Sequence, residues 1–425
     1  MRIIAGVTYS MIEKNSQEII KKSYLYVNAV ILVLTLVATL LSPHLAFWGC
    51  MLLLLSGFSN VPIFRNLILY IAMIMILFTA SSREIGNFGD DMVGTYMPIV
   101  YGQLYNNISP LTQLGVEAGY PLYIDILTNF IDLLNPRMVL FLSIALTLLL
   151  YSFWLMYFLI PRIEEKNKSL VLVLSLSLFQ IGLLSQVLRQ EIATPLLLMS
   201  VFSWMDAKKI KAIFLITLAT LFHSTSLVIF LFFISLPMMK KNLKIILIVF
   251  FLIIALAISK TPTLVNAVLN SMHMPFLAYK ILYYENAISL PLLQSIIGAK
   301  FFILIVLLII FNRKIYEQYC KYYGEENRLL LDFCLWGALC NIALFALPNA
   351  GRLFLVIPSF LIGIIFYPIY LNKPVLIKSG LYIFIAVNLF FPQRLIGGGG
   401  GGFELWSAYN WIGNDILYYL DWINS

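Results

Sequence analysis

Residues 185–226 read as membrane-grade apolar sequence, yet they carry Arg189, Gln190 and Glu191 in a row. About one membrane passage later come His223, Ser224 and Ser226. A charged group at the centre of a membrane helix costs at least ~2.5 kcal/mol, so such groups are rare and tend to face a polar cavity. Arg189 is a permanently charged guanidinium that can hold a phosphate or pyrophosphate through paired N–H donors, with Gln190 beside it. Its alternative is an arginine reaching to the membrane interface, or one paired with an acid such as Glu191. His223 can serve as a general base or as a donor to phosphate. It can equally cap a helix end while the serines bond to backbone. Pro195 is expected to kink or break the helix that follows Arg189.

Three further places carry chemistry-bearing side chains. Asp90 and Asp91 precede Tyr96 and Tyr101 in GNFGDDMVGTYMPIVY. An acidic pair there suits a general base or an anchor for sugar hydroxyls, with the tyrosines as stacking platforms; Gly-Asp-Asp is also ordinary turn chemistry. Glu117 in GVEAGYPLY is a candidate base, or an acid favoured by the N-terminal end of the helix it precedes. Arg352 in LPNAGRLF is a second cation for a diphosphate, or an interface anchor. The tyrosines of residues 260–293, Tyr283 among them, either line a carbohydrate path or form an aromatic belt. Lys208, Lys209, Lys240 and Lys241 set topology and carry no chemistry in this reading.

These residues need a membrane scaffold. The chain has 425 residues, 61% hydrophobic and only 11% charged, with a mean hydropathy of +0.92. A soluble domain is about 25% charged. The expected fold class is therefore all-α, a polytopic integral membrane protein, because long apolar runs span lipid as helices. Spans are expected near 24–42, 45–58, 64–81, 138–160, 169–187, 190–205, 245–259, 294–311, 329–347, 353–371 and 375–391, about 11 in all. Residues 212–237 are read as two short helices meeting at His223-Ser224. One continuous span there would put DAKKIK and MMKKNLK on opposite sides, against the positive-inside rule. With this hairpin, and the N-terminus inside, inner segments collect 20 of the 28 Lys and Arg with 9 acids, and outer segments 8 with 11 acids. The unusual polar residues then gather on the outer face. Residues 119–134 are apolar but short and are expected as an interfacial or re-entrant helix. The chain divides into one membrane domain, 1–391, with outer loops 82–137 and 260–293, and a glycine tether with an aromatic interfacial tail, 392–425. Cys50, Cys320, Cys334 and Cys340 are expected as unpaired thiols. No phosphate-binding glycine loop, Cys/His metal signature or Gly-x-Ser-x-Gly elbow is present, which argues against ATP-driven transport by this chain alone.

The order of motifs is distinctive. Asp91 and Tyr96 come first, then Glu117-x-Gly119-Tyr120, then Arg189-Gln190 with Ala193, then Phe222-His223 with Ser226, then Arg352. This pattern, over roughly residues 25–390, resembles the EpsG-like branch of Wzy-type polysaccharide polymerases, membrane glycosyltransferases with a GT-C-like arrangement that use lipid-linked donors. The resemblance implies an enzyme of the bacterial inner membrane, working on its periplasmic or outer face. It would join undecaprenyl-pyrophosphate-linked repeat units into O-antigen or exopolysaccharide, with undecaprenyl pyrophosphate leaving. The leaving diphosphate would fall to Arg189, Gln190 and Arg352. Asp91, Glu117 or His223 would take the acceptor proton. Asp90, Tyr96, Tyr120 and Tyr283 would meet sugar. No cofactor or metal is expected. The expected partners are the lipid-linked glycans, the bilayer and a chain-length regulator protein, with no nucleic acid. The alternatives are an O-antigen ligase, and a lipid-linked oligosaccharide flippase or other transporter. A transporter should place ionisable residues mid-membrane on related halves, which the sequence does not show.

Overall fold

A computed structural model describes residues 26–27, 29–56, 61–83, 85, 91–131, 134–260, 262–271, 300–344 and 353–390. Among them the regular structure is helical, with no strand. The first helices are α1 (Ala29–Leu41), α2 (Pro43–Leu55) and α3 (Pro62–Ser81). There follow α4 (Met97–Asn106), a single turn α5 (Pro110–Gln113), α6 (Gly119–Thr128) and α7 (Pro136–Arg162). Next come α8 (Lys168–Ser177), a single turn α9 (Ile181–Leu184), α10 (Leu188–Met205), α11 (Lys209–Phe222) and α12 (Thr225–Ser235). The series ends with α13 (Lys241–Lys260), α14 (Pro262–Ser271), α15 (Lys300–Phe311), α16 (Arg313–Tyr323), α17 (Glu325–Ala343), α18 (Ile357–Asn372) and α19 (Pro374–Phe390).

Proline opens many of these helices, where its missing N–H costs nothing. Before α7 the Asn135 side chain accepts the Met138 N–H at 2.7 Å, a side-chain cap just ahead of Pro136. Among the described residues three helices are continuous, long and apolar enough to cross a membrane: α3, α7 and the stretch Lys241–Ile258 of α13. The last has only 6% of its length buried, so its apolar surface is turned away from the protein, as a hydrocarbon-facing helix requires.

At the centre lies α10. Leu188 and every residue from 190 to 203 are buried, and the helix is packed by α7, α11 and α12. Pro195 does not break it: the helix runs through. The Thr194 hydroxyl bonds to the Gln190 carbonyl at 2.8 Å, and the enclosing helices hold the rest of the turn in place.

The expected span 169–187 is interrupted. After α8 the chain makes only the turn α9, with Gly182 inside it, and a further turn at Ser185. Gly182 is a poor helix former, and the Ser185 hydroxyl bonds to the Gly182 carbonyl at 3.1 Å. Irregular backbone at this depth is tolerated only where protein satisfies it. Arg83, 1% exposed at the end of α3, does so by donating its Nε–H to the Ser185 carbonyl at 3.0 Å.

The expected break at His223-Ser224 is present: α11 ends there in extended backbone and α12 begins. Cys50, Cys320, Cys334 and Cys340 are free and buried. A polar network ties the opposite ends of α3, α7 and α10 together. Arg65 pairs with Glu165 at 2.8 Å, Arg162 with Asp206 and with Glu326, and Tyr323 donates to Glu164 at 2.7 Å.

Candidate active site

The first helical turn of α10, the end of α11 and the turn before α6 meet at one carboxylate. Glu117 sits in the turn that closes on Leu114, with Gly115 at φ +59°. Glu117 is 8% exposed. Its Oε2 pairs with Arg189 Nη1 at 2.5 Å. Its Oε1 accepts the Ser224 N–H at 2.9 Å and the Ser224 hydroxyl at 2.6 Å. His223 Nδ1 stands 3.2 Å from the same oxygen, at ion-pair distance but off a hydrogen-bond axis.

The local sequence explains each position. α12 starts at Thr225, and the Ser224 side chain does not cap its own helix. The Ser224 N–H is instead satisfied by Glu117, 107 residues away in sequence, an acid at the positive end of a helix dipole. Gly119 makes the meeting possible. A Cβ there would lie 2.9 Å from the Leu221 carbonyl carbon and oxygen and 3.0 Å from the Phe222 nitrogen. Only glycine lets the start of α6 press onto the backbone end of α11, which brings Glu117 to Ser224 two residues beyond Phe222.

Burial alone would raise the Glu117 carboxyl. The adjacent His223, Arg189 and Ser224 outweigh it and hold the group well below the usual carboxylate range. Glu117 is therefore an anion at neutral pH, and a poor proton acceptor.

A tyrosine layer backs the cluster. Tyr96 OH accepts the Arg189 backbone N–H at 3.4 Å. Its ring lies 4.8 Å from that of Tyr120, whose hydroxyl bonds Ser143 at 3.1 Å. Asp91, half-buried, begins the wide helical turn Met92–Tyr96 that leads into α4. Gln103 of α4 donates to the Pro121 carbonyl of α6 at 2.9 Å. The two helices are thereby clamped side by side.

Residues 67–397 match the model of the EpsG family. The chain belongs to the EpsG family. That family is associated with polysaccharide polymerisation, and a membrane protein is what the apolar helices describe. The matched stretch contains Glu117, Arg189 and His223. No curated protein and no solved structure matches the chain.

In this EpsG-family chain the structure gathers Glu117, Arg189 and His223, with Asp91 and Tyr96 on the element beside them. It places two expected sugar contacts otherwise: Tyr96 and Tyr120 are 2% and 0% exposed. Rings packed into the core offer no face to a sugar; Tyr96 meets the Arg189 backbone N–H and Tyr120 packs against Tyr96. Gln190 is also buried, and its carbonyl serves Thr194. Asp90, Tyr283 and Arg352, with the tail beyond residue 390, lie outside the described residues. The residues that motif reading left unassigned are Ser224 and Arg83. A serine directly before an apolar run is an N-cap signal, and a lone arginine ending an apolar run, as Arg83 does after α3, signals a buried bond.

Proposed function

We propose that this chain polymerises undecaprenyl-pyrophosphate-linked oligosaccharide repeat units on the outer face of the bacterial inner membrane. The observation that carries this reading is the convergence of Arg189, Glu117, His223 and Ser224. The reaction needs positive charge for a leaving diphosphate and a base for the acceptor hydroxyl, and the cluster offers both.

In the proposed step the acceptor oxygen attacks the anomeric carbon of the lipid-linked glycan. The bond from that carbon to the diphosphate oxygen breaks, and undecaprenyl pyrophosphate departs with the electron pair. Arg189 and the Ser224 N–H stabilise the charge gathering on it. The acceptor proton goes to His223 Nε2. Before substrate binds, Glu117 faces Nδ1. Glu117 itself is too firmly anionic to be the better base. Sugar rings would rest on Tyr101 and Tyr105 of α4, which are 47% and 69% exposed with ring centroids 5.9 Å apart.

The test is Arg189→Lys. Lysine keeps the charge but loses the paired donors. Long-chain polysaccharide should disappear while the protein still reaches the membrane. Normal chain length in a membrane-inserted variant would reject the reading. In the deletion strain, a single attached repeat unit is expected. Long chains accumulating on the lipid carrier would point instead to a ligase, and loss of outer-face lipid-linked units to a flippase.

A further inference from the structure

We infer that Glu117 is a resident anion, standing where a phosphate of the lipid-linked diphosphate binds, and that substrate enters by displacing it. The inference rests on the diphosphate reading above and deepens it.

The donors around Glu117 are those that recognise phosphate. A guanidinium stands on one oxygen, and the N–H at the head of α12, the Ser224 hydroxyl and His223 on the other. A guanidinium with a helix N-terminus is a standard phosphate arrangement. α12 is 11 residues long, enough for its end to carry a dipole.

A second observation shows that the carboxylate does not exhaust this site. In the first turn of α12, Thr225 Oγ1 is buried with no hydrogen-bond partner, and Arg189 Nε has no partner of normal hydrogen-bond geometry. Buried polar groups are nearly always bonded, so such exceptions need an explanation. A carboxylate offers two oxygens and one charge. A diphosphate offers more oxygens and more charge, so it can take over the contacts of Glu117 and reach the donors left over.

Exchange has a functional consequence. Arg189 is never an uncompensated cation in a dry site, which would be costly. A singly charged anion gains nothing by replacing a built-in one, so the contact selects for multiply charged ligands. The chemistry fits a lipid-linked diphosphate and free pyrophosphate alike; the surrounding membrane helices favour the lipid-linked form.

The test uses the full chain purified in detergent, with inorganic pyrophosphate as the probe in titration calorimetry. Glu117→Gln removes the competing charge, and binding should become at least about tenfold tighter than in the wild type. Equal or weaker binding by the variant, with the wild type still binding, overturns the exchange and leaves the diphosphate reading standing. If neither protein binds, and Arg189→Lys changes nothing, the diphosphate reading falls and the inference with it. Farnesyl diphosphate should displace inorganic pyrophosphate at lower concentration; failure to do so overturns the lipid source. A second measurement does not depend on Glu117→Gln folding. Val116 is 70% exposed beside Glu117. An environment-sensitive fluorophore on Val116→Cys should change its emission with the same concentration dependence as binding. Constant emission at saturation means that Glu117 stays in place, and overturns the exchange.

Discussion

At the scale of single residues the site is governed by one negative charge that accepts three hydrogen bonds, with His223 beside it. This gives His223 and Glu117 different tasks. His223→Ala removes the proposed proton acceptor and should lower transfer about 10²- to 10⁴-fold while the protein stays inserted. Glycan transfer assayed in proteoliposomes measures it. A fall of less than about threefold would move the base to Asp91. Glu117 leaves a different mark, on stability. A carboxyl whose folded value is depressed stabilises the fold above its unfolded value and loses that contribution as pH falls through the folded one. Its ordinary value is about 4.3. The Glu117 anchor is therefore complete at neutral pH and weakens only below about pH 4.5. The thermal midpoint in detergent should drop below that pH, and in Glu117→Gln the drop should be shallower; parallel curves would mean the anchor does not hold the fold. Sequence reading singled out Arg189, His223 and Glu117, which the structure brings together, because charged groups beside apolar runs stand out. It could not tell that Tyr96 and Tyr120 face inward, since a tyrosine in a loop reads alike whether it stacks on sugar or fills the core.

At the scale of elements, α6 and α11 must touch for the site to exist. Gly119→Ala forces a methyl group against the backbone at Leu221 and Phe222, and backbone cannot swing aside as a side chain can. The expected cost is about 1–3 kcal/mol of stability, together with loss of polymerisation, although no chemical group of the site is removed. Gly94→Ala is the control, because a Cβ there would meet nothing within 4 Å. Equal activity in the two variants would show that the α6–α11 contact does not position Glu117. The neighbouring α4 supports a separate prediction. Replacing both Tyr101 and Tyr105 with alanine should raise the KM for acceptor glycan about twofold to thirteenfold, as loss of ~0.5–1.5 kcal/mol of aromatic contact requires. An unchanged KM with reduced membrane insertion would make the pair an interface anchor instead. The helix break at His223 could be anticipated because the basic segments on either side of residues 212–237 demanded one side of the membrane. The interruption after α8 could not, since residues 169–187 are apolar enough for a span, and the Arg83 bond to Ser185 that helps satisfy their backbone comes from a distant helix end.

At the scale of the molecule, the described helices carry two polar poles. One holds Glu117, Arg189 and His223, at the start of α10 and the end of α11. The other holds Arg65, Arg162, Asp206 and Glu165, at the start of α3 and the far ends of α7 and α10. Between them α10 runs for 18 residues, or about 27 Å at 1.5 Å per residue, close to the ~30 Å hydrocarbon thickness of a bilayer. Most helices were legible in sequence because hydrophobic length is a strong signal. Which ends share a pole was legible only through the charge imbalance between loops. From that imbalance we propose that the Arg162 pole faces the cytoplasm and the Glu117 pole the outside. Two exposed positions test this assignment: Val116, 70% exposed at the Glu117 pole, and Ile210, 88% exposed at the start of α11. All four native cysteines are buried, so background labelling should be low. In intact spheroplasts a membrane-impermeant maleimide should label Val116→Cys and leave Ile210→Cys untouched until the membrane is permeabilised. The reverse pattern would put the Arg189 cluster in the cytoplasm. Lipid-linked repeat units displayed outside could not reach it there, and the polymerase reading would be lost with the topology.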